Sequence, residues 1–184
     1  MARSGAVLRG QLLDVALRLF GQRGFRGTSL QDIAKEVGCS KASLLYHFAS
    51  KEAIFNELLT PSMTAFDALN ETLQNAPTPV VARQAVEGFV DVVIRYRQQI
   101  AMVLQQASEA AEASIEGNCT TSEQRAELLV TALSGRSTDP YVRLRSRMAI
   151  GAITVAAASP ETDMSTEAAR QELVDGALRL LCLA

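Results

Sequence analysis

Apolar residues recur along this chain at intervals of three and four, and glycine, proline or a capping residue breaks each run. Leu8, Leu12, Val15, Ala16, Leu19 and Phe20 form one stripe of a helix from about Ala6 to Arg23, which Gly24 ends. Leu30, Ile33, Ala34 and Val37 stand at i, i+3, i+4 and i+7 and predict a second, short helix at about 29–36. Thr28 and Gln31 have the capping-box spacing at its start, and Gly38 can take the left-handed conformation that stops it. Ser40 caps a third helix at about 41–47 whose inward residues are Leu44 and Phe48. So tight a turn between two short helices holds the second at an angle to the first, with its start free to enter a DNA major groove.

The later pattern is helical too. Ser50 caps a fourth helix with Glu52 in its first turn and Phe55, Leu58, Leu59, Phe66, Leu69 and Leu73 along it. Pro61 falls inside that run, where proline removes a hydrogen bond and kinks or breaks a helix. The joint between an N-terminal domain, residues 1–60, and a second domain, residues 61–184, is placed there. Thr78 and Pro79 read as cap and first residue of a helix through about Arg97. Another follows at roughly 99–114, then a loop at 117–121 and a helix ending at Gly135. Asp139-Pro140 starts a helix that stops before Pro160, and Ser165 caps the last. No segment sustains strand alternation, so the expectation is an all-α protein of about nine helices.

Charge sharpens the division. Residues 1–60 carry eight Lys or Arg against five Asp or Glu, whereas residues 61–184 carry ten against fifteen, within a total of −2. A basic module joined to an acidic one suits a nucleic-acid reader attached to a domain that stays off DNA. The overall charge is too low for a protein that compacts DNA by wrapping it. Three cysteines and a single histidine, without ligand spacing, predict neither a metal site nor a cofactor. There is no nucleophile elbow or phosphate-binding glycine loop, which argues against an enzyme. The longest apolar tract, 148–158, is too short to span a bilayer, and the start has no apolar signal region. A soluble cytoplasmic protein with no membrane partner is expected.

The run LLYHFASKEAIF, preceded by IAKEVGCSKAS and ALRLFGQRGFRGTS, resembles the DNA-binding domain of the tetracycline-repressor (TetR) family over residues 7–60. The resemblance implies a transcriptional regulator, usually a repressor, that binds a palindromic double-stranded operator as a homodimer and is released by a small-molecule effector. It places Lys41, Ala42, Ser43 and Leu45 toward base edges, with Gln31 reaching from the second helix. Lys41 can reach guanine O6 and N7, Gln31 fits adenine, and Leu45 can pack on a thymine methyl. Leu45 stands where the family usually has tyrosine and Ala42 where it often has glycine, so the operator sequence is left open. Phosphate contacts fall to Thr28, Ser40, Tyr46, His47 and Lys51, whose hydroxyl, imidazole and ammonium groups donate to phosphate oxygens.

The helix at 148–158 is apolar on all sides and must be covered on more than one. Its small residues allow close approach by a partner copy, and together with the last helix it would form a four-helix bundle across a two-fold axis. The family dimerises in the same place. The expected interface residues are Gly151, Ala152, Val155, Ala156, Val174, Ala177, Leu178 and Leu181. An effector cavity is implied by the resemblance alone, with Phe66, Phe89, Tyr96, Met102, Gln105 and Met148 as candidate lining.

Overall fold

The computed structural model describes residues 5–110, 119–159 and 163–183, and the side chains of these except 107–110 and 119–122. Among the described residues are nine α-helices and no strand. They are α1 (Gly5–Arg23), α2 (Leu30–Val37), α3 (Lys41–His47), α4 (Lys51–Asn75), α5 (Thr78–Arg95), α6 (Arg97–Ala110), α7 (Cys119–Leu133), α8 (Pro140–Ala158) and α9 (Glu167–Leu180). The all-α architecture is the one that the hydrophobic periodicity predicts.

Two apolar cores organise the chain. The first joins Leu12, Ala16, Leu19 and Phe20 of α1 to Ile33 and Ala34 of α2, Leu44 of α3 and Ile54, Phe55 and Leu58 of α4. Phe20, Phe25 and Phe55 meet there with ring centroids 5.1–6.1 Å apart. The second is built around α5, whose Val81, Val86, Phe89, Val90 and Val93 are buried among α4, α7, α8 and α9. α5 and α4 approach closely at Gly88, where a Cβ would lie 2.5 Å from Leu69 Cδ1. α4 serves both cores, because its first half faces one and Leu73 the other.

Helix boundaries differ from expectation where a neighbouring group decides the cap. The N-cap of α2 is Ser29 rather than Thr28, and its box partner is Asp32 rather than Gln31. Thr28 is buried with its hydroxyl donating to the Gly24 carbonyl at 3.0 Å, so it cannot also turn forward to cap. Gly38, at φ 77°, closes α2 as expected. Thr78 is not the cap of α5: Pro77 holds that position, and the Thr78 hydroxyl accepts from Arg136 Nη1 at 2.7 Å. Arg136 also donates to the carbonyls of Leu73, Gln74 and Ala76, covering the end of α4. Cys119 opens α7 where a loop was expected, whereas Gly117 and Asn118 lie outside the described residues, as does 111–114 of the expected sixth helix. The cap of α9 is Thr166, one residue beyond Ser165, whose hydroxyl is engaged by Asp163.

Pro61 neither breaks nor ends α4, which runs for 25 residues through it. The proline removes only the hydrogen bond to the Glu57 carbonyl. Leu58 and Leu59 before it are buried in the first core, and Phe66 after it packs on the second, so each half is held by its own core.

Candidate nucleic-acid interface and effector cavity

The start of α3 is fixed from both ends. Ser40 accepts from the Ser43 N–H at 3.1 Å, and Leu44 and Phe48 are buried beneath the helix. Arg9 lies 4.7 Å from the Phe48 ring centroid and pairs with Glu57, tying α1 to α4 behind it. A second ion pair, Arg18 with Glu36, ties α1 to α2. With the inward positions filled, Lys41, Ala42, Leu45 and Tyr46 stand in solvent on the outer face of α3, and Gln31 and Ser40 are exposed beside them. Leu45 is 43% exposed and Tyr46 87%, so both side chains are open to a surface that meets this face. Ser43 and His47 are half-buried, and the His47 ring meets Tyr46 edge-on at 5.2 Å.

Two of the expected phosphate contacts are engaged elsewhere. Thr28 is 1% exposed with its hydroxyl turned inward. The Lys51 ammonium donates to the carbonyls of Phe25 at 2.6 Å and Thr28 at 2.9 Å and sits 4.3 Å from the Phe25 ring centroid. It closes the α1–α2 loop onto α4 instead of facing outward. The backbone signal that could have shown this is the pair of loop carbonyls left without helical partners after Gly24.

A cavity of about 270 Å³ lies between α4, α5, α6, α7 and α8. Phe66 and Phe89 form one wall, their centroids 5.5 Å apart. The other expected lining residues are elsewhere. Met102 is buried in the first core, and Met148 points to solvent on α8 at 53% exposure. Tyr96 and Gln105 do not border the cavity either. Their places are taken by Leu59 and Met63 of α4, Gln99, Ile100, Val103 and Leu104 of α6, Arg125 and Leu129 of α7, and Ile150 and Thr154 of α8. The i, i+3, i+4 recurrence of Leu59, Ser62, Met63 and Phe66 was visible in the sequence. Which helices would face it was not.

The expected interface set divides between the two helices. Gly151, Ala152, Val155 and Ala156 of α8 are exposed, whereas Val174, Ala177 and Leu178 of α9, and Leu181 just beyond it, are buried in this chain's own second core. The buried four are corrected accordingly: α5 and α8 already cover that face of α9. Exposed on α8 with the first four are Tyr141, Leu144 and Met148, a stripe at steps of three and four along the whole helix.

The fold and these surfaces define an all-helical protein with a helix-turn-helix head. Residues 12–58 match the family described as bacterial regulatory proteins, tetR family. Over 66 residues the chain is 41% identical to the negative transcriptional regulator of the biofilm operon icaADBC, IcaR, of Staphylococcus aureus, covering 36% of this chain and 34% of that one. Over 51 residues it is 49% identical to the transcriptional repressor KstR2 of Mycobacterium tuberculosis, covering 28% and 26%. The chain thus matches about a third or less of the length of these curated relatives. Solved structures extend the likeness to the whole fold. A TetR-like regulator from Rhodococcus sp. RHA1 superposes with a TM-score of 0.69 at 28% identity, over 99% of this chain and 98% of that one. KstR2 of M. tuberculosis gives 0.73 at 22% identity, over 98% and 94%. The tetR family match is thus confined to residues 12–58, and the relatives and solved structures that the chain resembles are named as transcriptional regulators. Among the described residues no helix is long and apolar enough to cross a membrane.

Proposed function

We propose that the protein is a cytoplasmic, dimeric repressor that binds a palindromic operator and leaves it when a small molecule occupies the cavity. The outer face of α3 carries this reading: Lys41, Ala42, Leu45 and Tyr46 are exposed on a helix whose other side is fully anchored. In it, residues 1–60 form the head and residues 61–184 the effector and dimerisation domain. Lys41, Ala42, Ser43, Leu45 and Gln31 read bases, while Ser40, Tyr46 and His47 meet phosphates. The likeness to IcaR, a negative regulator, and to KstR2, a repressor, supports repression.

The dimer contact in this reading is the α8 stripe, Leu144, Met148, Gly151, Ala152, Val155 and Ala156, joined by Gly176 and Leu183 of the C-terminal segment. Gly151 and Gly176 have open space where a Cβ would stand, which lets a second backbone come close. The deciding experiment is quantitative binding of the purified protein to DNA upstream of its own gene, followed by footprinting. The expected result is two protected half-sites about 34–36 Å apart, or a multiple of one turn. No preference over random DNA at moderate salt, for any promoter-containing fragment, would refute the reading.

A further inference from the structure

We propose that the cavity accepts an uncharged, mainly apolar carbonyl compound of about ten carbons, such as a medium-chain ketone or ester, and discriminates against the carboxylate of the same length. The inference rests on the reading of this cavity as the effector site.

Size comes first. An apolar cavity of about 150 Å³ holds benzene, so this open-sided pocket of about 270 Å³ matches a ligand of roughly ten carbons. It falls just short of the range of drug-sized pockets, about 300–1,000 Å³.

The lining then sets the polarity. Among its described residues Arg125 is the one charged side chain, and none is acidic. The Ser62 and Thr154 hydroxyls already donate to the Leu59 and Ile150 carbonyls, each at 2.7 Å, and offer a ligand only lone pairs. Donors for a ligand therefore come from Arg125 and the Gln99 amide.

Arg125 is already matched in charge. Its Nε and Nη2 donate to the two carboxylate oxygens of Asp67 at 2.6 and 2.9 Å. A guanidinium has five N–H groups, so three remain able to donate. An added carboxylate would gain those donors but would sit beside the Asp67 charge, and like charges in one site oppose ionisation of both. Asp67 does not yield, because Arg125 holds its carboxyl below the usual carboxylate value. A neutral carbonyl meets the same donors without the repulsion.

The test is calorimetric titration of the full chain at pH 7 with decan-2-one and with decanoate. The ketone should bind at least about tenfold more tightly, and Asp67→Asn should raise decanoate affinity by about tenfold while moving the ketone less than about threefold. Val103→Phe, on a partly exposed wall residue, should weaken both. Decanoate binding as tightly as the ketone, or a ratio that Asp67→Asn leaves unmoved, overturns the ligand class but leaves the cavity as a binding site. Binding untouched by Val103→Phe places the probe elsewhere and overturns the proposal. Silence from both probes overturns the cavity reading along with it.

Discussion

Replacing Lys51 with methionine separates two roles that the residue type alone allows. The sequence pattern assigns Lys51 to a DNA phosphate, whereas its ammonium donates to the Phe25 and Thr28 carbonyls at 2.6 and 2.9 Å and lies against the Phe25 ring. Methionine keeps most of the aliphatic stem and removes only the charge and the donors. Each hydrogen bond from a charged donor contributes about 1.5–3 kcal/mol, and a cation–π contact about 0.5–1 kcal/mol near the surface. The site is half-buried and the contributions share one nitrogen, so the sum is discounted to about 2–4 kcal/mol. In a protein of this size that lowers the melting temperature by roughly 5–15 °C. A lost phosphate contact would instead reduce the slope of log affinity against log salt by about one and leave stability alone. Thermal unfolding by circular dichroism and salt-dependent anisotropy with operator DNA are the paired assays. Lys51→Met with unchanged melting and a slope smaller by about one would refute the structural role.

Tyr46→Phe should weaken binding to all sequences alike, by about two- to tenfold for one neutral hydrogen bond, while Lys41→Ala should relax preference at one base pair per half-site by about 1–3 kcal/mol. Operator selection that returns the parental sequence for Lys41→Ala, or base-specific losses for Tyr46→Phe, would reverse those roles. Val155→Arg puts an unpaired charge into the proposed dimer contact and should give a folded monomer at micromolar concentration; a dimer by sedimentation velocity would move the interface off α8. Ser29 donates from its hydroxyl and backbone N–H to Asp32, holding that carboxyl below its usual value of 3.8. The contribution to α2 is therefore complete above that value and lost as pH falls through the lower folded one. Hydrogen exchange in α2 should show acid-dependent fraying in the parent and none added in Asp32→Asn, whose fraying should already be present at neutral pH.

What the sequence discloses best is whatever a single helix decides. The apolar stripes of α1 and α2, the Gly38 stop, the Ser40 and Ser50 caps and the Asp139-Pro140 start all depend on neighbours within one turn, and all stand where the pattern puts them. Errors arise where two helices compete for one group. Thr28 and Ser29 both qualify as caps, and only the depth of the α1–α2 loop sends Thr28 inward. Arg136 looks like any loop arginine, yet at φ 63° it covers two carbonyls of α4 and that of its C-cap, Ala76, from 60 to 63 positions away. Val174, Ala177 and Leu178 form a stripe fit for a partner or for the chain's own core, and periodicity cannot choose between them. Met148 and Met102 show the same limit, since both sit on apolar faces and neither borders the cavity.

The unbroken α4 changes how the proposed release should work. A swing about Pro61 would need a helix that yields there, but α4 is continuous through the proline and each half is packed into a core. Leu59 belongs at once to the head core and to the cavity wall, and Met63 lines the wall while packing against the same core, so movement of that wall reaches the head directly through α4. α6 offers a second route. Ile100, Val103 and Leu104 face the cavity, while Met102, at 3% exposure, is packed into the head core beside α1. A ligand that pushes on α4 and α6 together would shift the head as a body instead of bending it. Such a ligand alters operator affinity only by the difference in its own affinity for the two head positions, and the operator weakens the ligand by the same factor. Close packing favours two discrete positions over a continuum, because a filled core repacks more readily than it stretches. The coupling in this chain is therefore better sought in Leu59 and Met102, where two cores share a helix, than in the proline between them.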